Sequence, residues 1–230
     1  MQPTIVPPPA PARKTRPLPL HPGDHLSASE FLRRYEAAGD QVKAELINGV
    51  VYLMFPAHFE AHGKPDSIIS FWLGYYATFT PSIEHALGPT VKLSRIDVPE
   101  PDSLLFLKRE AGGNCRITPD DYLSGAPEFV AEVSASSASY DSHEKLQAYL
   151  RAGVREYLIW RTYDEAVDWF VLREDEYVPV EPDTEGILRS PYLPGLWLNT
   201  KALLAHDRQG VLRTLEEGLK ARGTGDQVKS

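Results

Sequence analysis

An acid at the entrance of one apolar strand, an acid inside a second and a lysine on the helix that follows are residue types that suit metal-assisted hydrolysis. Asp102 follows Val98-Pro99-Glu100-Pro101 and opens onto the apolar run Leu104-Leu105-Phe106-Leu107. Further on, Glu132 interrupts the run Phe129-Val130-Ala131 before Val133. Burying an unpaired carboxylate costs several kcal/mol, so an acid inside such a strand must face a metal, a base or a solvent-filled cleft. Lys145 follows on the next element. Two carboxylates that reach one point bind a hard divalent cation such as Mg2+ (or Mn2+), which neutralises a scissile phosphate and lowers the pKa of a bound water. A nearby ammonium orients the attacking water or stabilises charge in the transition state. Together these groups describe phosphodiester hydrolysis.

The elements that must position them are legible from pattern. Proline cannot donate to a strand ladder, so Pro101 marks the entrance of a strand with Asp102 at its start. Glu128 to Ser134 forms a second strand. After the Ser/Ala-rich turn from Ser134 to Tyr140, Asp141 and Glu144 have capping-box spacing and open a helix that runs to Gly153. Residues 141, 145 and 149 share one face of it, directing Lys145 over the end of the preceding strand while Leu146 and Leu150 pack inward. Earlier in the chain, Ser27-Ala28-Ser29-Glu30 is a capping box, and Phe31, Leu32 and Tyr35 predict a helix to about Ala38. Ala44-Glu45-Leu46-Ile47 and Val50-Val51-Tyr52-Leu53 flank Asn48-Gly49, predicting a tight hairpin with Glu45 on its first strand. Pro65 to Thr78 carries Ile68, Ile69, Trp72, Leu73 and Tyr76 on one helical face. Val154 to Trp160, Val167 to Leu172 and Tyr177 to Val180 read as closing strands. The result is an α/β fold, a mixed sheet flanked by helices.

Composition bounds the rest. A chain of 230 residues with 42% hydrophobic content supports one sizeable core. The division expected is a proline-rich leader at 1–24, a domain at 25–206, and a C-terminal helix and tail at 207–230. The leader has eight prolines in its first 22 residues and lacks the apolar run of a secretion signal. One cysteine, Cys115, excludes an internal disulfide framework, and no stretch is apolar enough to cross a bilayer, so a soluble, cytoplasmic protein is expected. A net charge of -8, from 32 acids against 24 bases, argues against unaided tight DNA binding, although a bound cation offsets the charge of an acidic metal site. The serines at 134, 136 and 137 lack a nucleophile elbow, and no phosphate loop, zinc spacing or dinucleotide fingerprint is present. His62 and His143 could assist near the metal or phosphate, but are read first as capping or surface residues. Asp141 is read as a helix cap, and Tyr149, Tyr157, Trp160, Trp169 and Trp197 as packing aromatics.

The order Pro101-Asp102, Glu132-Val133-Ser134, Asp141-x-x-x-Lys145-x-x-x-Tyr149 and Gly153-Val154-x-Glu156-Tyr157 resembles the Uma family of restriction endonuclease-like proteins, a bacterial branch of the PD-(D/E)XK nuclease superfamily. The Glu45-Leu46-Ile47-Asn48-Gly49 hairpin, the His62-Gly63 pair and Leu193-Pro194-Gly195-Leu196 fall in the same order. The resemblance implies a restriction-endonuclease-like core in which Asp102, Glu132 and the backbone carbonyl of Val133 hold Mg2+ or Mn2+, with Lys145 catalytic and Glu45 an additional acid. Ser134 departs from the superfamily's parent motif, which has lysine at that position; the family pattern moves the lysine onto the next helix, where Lys145 stands. DNA as substrate and a homodimer are further implications. Two functions follow: a metal-dependent DNA endonuclease, or a catalytically silent nuclease-fold module that binds nucleic acid or protein. Retained charged groups in the sheet favour the first; the acidic total favours the second.

Overall fold

The side-chain alternation of its strands gives this protein a sheet with two differently occupied faces, and the computed structural model describes residues 17–39, 42–54, 56, 58–135 and 140–223. Helix α1 (Ala28–Ala38) starts at Ser27, whose hydroxyl accepts the amide of Glu30 as the capping box predicts. Strands β1 (Ala44–Ile47) and β2 (Val50–Leu53) form the expected hairpin, with Asn48 at φ 53° and Gly49 at φ 77°. These left-handed values are the ones a two-residue turn needs to match the strand twist. A π-helical turn (Phe59–Gly63) leads into α2 (Lys64–Thr78), with Pro65 at its start.

The central sheet has six strands: β3 (Ile83–Leu87), β5 (Ser103–Leu107), β8 (Phe129–Ser134), β9 (Glu156–Arg161), β10 (Ala166–Arg173) and β11 (Glu176–Pro179). Their order is β11-β10-β9-β8-β5-β3, with β8 and β9 parallel and every other pair antiparallel. Parallel strands need a crossover. It is supplied by a π-helical turn (Asp141–Lys145) and helix α3 (Leu146–Ala152), closed by Gly153 at φ 82°. Two small sheets complete the fold: β4 (Val91–Lys92), β6 (Arg116–Ile117) and β7 (Leu123–Ser124) form one, and β12 (Ile187–Arg189) and β13 (Trp197–Asn199) the other. Helices α4 (Thr200–Leu204) and α5 (Arg208–Ala221) follow.

Successive residues on a strand point to opposite faces. Phe129, Ala131 and Val133 of β8 therefore join Leu105 and Leu107 of β5 and Leu158 and Trp160 of β9 beneath α2 and α5. Val130, Leu104, Tyr157 and Ile159 face the other way, into the cluster that contains Tyr149 of α3. Glu132 shares the parity of Val130 and so emerges in the α3 layer. Helix α5 is more than a charged tail, since Val211 and Leu215 lie in the same core as α2. From the leader, Leu20 is buried against the hairpin and the Gly23 amide donates to the Val51 carbonyl. Residues 1–16 of the leader and 224–230 of the tail lie outside the described residues.

Two local expectations need correction. The backbone is already helical at Tyr140 (φ -67°, ψ -48°), so the crossover does not start at an Asp141 cap. Its buried face is made by Lys145, Ala148 and Tyr149; Leu146 packs inward only in part, half-buried against the cluster that holds Tyr149, and Leu150 is half-buried. The wide turn rotates the start of the helix, and the polar groups of Lys145 and Tyr149 find buried acceptors that repay their desolvation.

Candidate active site

Asp102 sits one residue before β5, and the register Ser103↔Ala131 sets it beside Glu132 and Val133. The Val133 amide donates to Asp102 Oδ2 at 2.7 Å, while His62 Nε2 stands 3.4 Å from Oδ1. His62 is placed by the π-helical turn before α2, and Thr162 at the end of β9 donates its hydroxyl to the Ala61 carbonyl of that turn. Sequence reading left His62 as a surface or capping residue; its pairing with Asp102 depends on a contact across the fold that local pattern does not contain. The His62-Gly63 pair within the family resemblance was the one available signal.

Glu45 reaches the same place from the hairpin. Its strand is tied to the approach to β5 by the Leu46–Val98 bridge, and its Oε1 accepts the Glu100 amide at 2.7 Å. Because Pro99 and Pro101 have no N–H, Glu100 supplies the sole amide donor among those three residues.

Lys145 closes the group. Its Nζ lies 2.9 Å from Glu45 Oε1 and 2.9 Å from Glu132 Oε1, and the three side chains are 2–4% exposed. One helical turn on, the Tyr149 hydroxyl donates to the same Glu132 oxygen at 2.8 Å. At an effective dielectric near 20, each ion pair at this separation carries a gross attraction of about 6 kcal/mol. Removing several kcal/mol of hydration from each ion offsets most of it. The group is thus a costly arrangement for stability, held in place by its surroundings. Tyr140 packs on Tyr52 of β2 with ring centroids 4.3 Å apart, and the Lys145 ammonium is 5.8 Å from the Tyr140 ring.

A further acid, Asp66, stands in the first turn of α2, where sequence reading saw only a helix start. Its Oδ1 is buried without a hydrogen-bond partner. Burial, and then the neighbouring charge of Asp102, push its pKa up to about 6, with His62 opposing. His143 is exposed on the turn that carries Lys145, and Ser134 is fully buried at the end of β8. The serines at 136 and 137 lie outside the described residues.

The donor set suits a hard divalent cation: carboxylate oxygens of Asp102 and Glu132, the backbone carbonyl of Val133, and the orphaned oxygen of Asp66 close by. Among the described residues, no three His, Cys, Asp or Glu side chains form a cage that would hold a metal alone. That is compatible with Mg2+, which keeps several waters and takes one or two protein carboxylates plus substrate phosphate oxygens.

Comparison with known proteins bears on the fold and the family. None of the curated proteins matches the chain. Among solved structures, it is similar to one described as "a putative nuclease belonging to DUF820" from Anabaena variabilis, with TM-score 0.60 and 15% identity, covering 79% of this chain and 98% of that one. The six-stranded mixed sheet and its helices therefore form a nuclease-like α/β fold. Residues 28–201, well over half of the 230, match the model of the family Uma2, described as "Putative restriction endonuclease", and the chain belongs to that family.

Proposed function

We propose that this protein is a Mg2+-dependent endonuclease that hydrolyses DNA phosphodiester bonds, with Asp102, Glu132, Lys145 and Glu45 as its catalytic group. The observation that carries the reading is the burial of Lys145 between two carboxylates, beside Asp102, on elements from three separate parts of the chain. A protein without catalytic demand on this sheet would be as stable with apolar residues there. Family membership supports the same reaction class.

In this reading, Asp102, Glu132 and the Val133 carbonyl hold Mg2+ or Mn2+. The cation, when bound, supplies charge neutralisation at the scissile phosphate and a water of lowered pKa. Lys145 presents its ammonium to the attacking water or to a phosphate oxygen, and Glu45 keeps that ammonium from turning away. The Val133 amide fixes Asp102 through Oδ2. A homodimer, by which two such sites would cut two strands, belongs to the same proposal.

The test is incubation of the purified protein with supercoiled plasmid and with single-stranded DNA, in Mg2+, in Mn2+ and in chelator. Metal-dependent nicking abolished by Asp102→Asn and by Lys145→Met is expected. A second reading, a silent nuclease-fold module that binds nucleic acid or protein, is favoured by the net charge of -8. It predicts no cleavage under any of these conditions. Sedimentation at working concentration tests the dimer, and a strict monomer would remove it.

A further inference from the structure

Glu132 Oε1 receives two donors from one helix, the ammonium of Lys145 at 2.9 Å and the hydroxyl of Tyr149 at 2.8 Å. The two residues are four apart, so they stand one above the other on the inward face. Lys145 has a second obligation, to Glu45 at 2.9 Å. Tyr149 is 1% exposed, and its ring is locked against Tyr157 with centroids 4.8 Å apart. Its hydroxyl therefore has little freedom to leave Glu132. The two donors differ in kind: one is a long flexible cation shared between acids, the other a rigid neutral group.

We propose that Tyr149 is a positioning residue of the site, which fixes the Glu132 carboxylate for cation binding while Lys145 is engaged with substrate. This rests on the endonuclease reading above. When Lys145 turns its ammonium toward water or phosphate, its hold on Glu132 weakens. The Tyr149 hydroxyl, anchored by core packing, keeps Oε1 in place and with it the plane of the carboxylate. A hydrogen bond to a metal-ligating carboxylate orients it, and loss of such a partner typically costs roughly 10–100-fold in metal affinity or activity.

The experiment is titration of the full chain with Mn2+ alone, followed by electron paramagnetic resonance of the free ion, on wild type, Tyr149→Phe and Tyr177→Phe. Tyr177 is a control from the same cluster, since its hydroxyl donates to the Val154 carbonyl. Tyr149→Phe retains the ring and its packing, so its melting temperature is read beside the titration. Mn2+ affinity lowered roughly 10–100-fold in Tyr149→Phe, near-wild-type affinity in Tyr177→Phe and a Tyr149→Phe melting temperature close to wild type are expected. A wild type that binds Mn2+ beside a Tyr149→Phe protein that binds it equally well overturns the positioning role and leaves the endonuclease reading intact. A wild type that binds no Mn2+ without DNA overturns the positioning of Glu132 for cation binding in the free protein, and the plasmid assay above then decides the endonuclease reading by itself.

Discussion

At the level of single residues, this protein keeps charge inside its sheet at a cost that only function or compensation explains. Lys145 pairs with both Glu45 and Glu132, all three nearly inaccessible to water. Replacing it by methionine leaves two buried carboxylates facing an apolar chain, and breaking such a pair costs about 3–5 kcal/mol. Lys145→Met is expected to lose that much in urea unfolding, with part restored by millimolar Mg2+. A loss below 1 kcal/mol (roughly the surface-pair value) would mean that the ammonium is not held as described. Glu156 is a buried acid outside the site. It accepts from Trp169 Nε1 at 2.7 Å, from the Ser190 hydroxyl and from the Tyr192 amide, yet burial outweighs these donors and pushes its pKa up to about 7. The raised value means that the folded state prefers the protonated acid. Its stabilising contribution is therefore complete below the ordinary value of 4.5 and is lost as pH rises through about 7. Over that window the loss is roughly 3 kcal/mol, and Glu156→Gln is expected to flatten the slope between pH 4.5 and 7 in denaturation curves. Asp102, Lys145 and Glu45 took their expected roles from the order of motifs in the family resemblance, and Glu132 was legible from the sequence itself because an acid breaks an apolar strand. His62, Asp66 and the role of Tyr149 were not, because each acquires its meaning from a partner on another element.

At the level of elements, local signals and tertiary demands agree in most places. The Ser27 cap, the Asn48-Gly49 turn and the Gly153 stop each set a boundary that sequence pattern anticipates. The crossover after β8 is the exception, since a π-helical turn replaces a capped start and rotates Lys145 and Tyr149 inward. No local pattern encodes that rotation; it follows from the acceptor waiting on Glu132. Arg151 of α3 donates to Asp97 Oδ1, which also accepts the Asn48 amide at 2.8 Å, so the helix bearing Lys145 is tied to the hairpin bearing Glu45. Docking of α5 shows packing overriding propensity. Alanine in place of Gly218 gains up to about 1 kcal/mol in helix propensity. Its Cβ, however, would press on the Gly195 carbonyl oxygen and come within 2.7 Å of Trp197 Cγ. Overpacking costs typically about 1–3 kcal/mol, and backbone is what must move here. Gly218→Ala is expected to be destabilised by roughly 2 kcal/mol net, measured by urea midpoint; an equal or raised midpoint would show that the α5 contact is loose.

At the level of the whole molecule, the proposed cation would reconcile the acidic total with the proposed substrate. A net charge of -8 repels a polyanion, and the buried acids of the site add to that repulsion until a divalent ion is present. Binding of a short DNA duplex in chelator is therefore expected to be weaker than about 1 μM at physiological salt, and to tighten when Ca2+, a hard divalent cation bound by oxygen ligands, is supplied. Tight binding in chelator would place the affinity elsewhere on the surface. Among the described residues, no helix is long and apolar enough to cross a membrane. The fold class was readable from alternating strand and helix patterns, whereas the six-strand order with a single parallel pair required the structure. The central claim is that Asp102, Glu132 and Lys145 act as one metal-dependent site. Nicking of supercoiled plasmid by wild type and by Glu132→Gln, at equal melting temperature and across a Mn2+ titration, tests it most directly. Metal-dependent nicking by wild type, reduced at least about 100-fold in Glu132→Gln, is the expected result; equal nicking by both proteins, or nicking that persists in chelator, would contradict it.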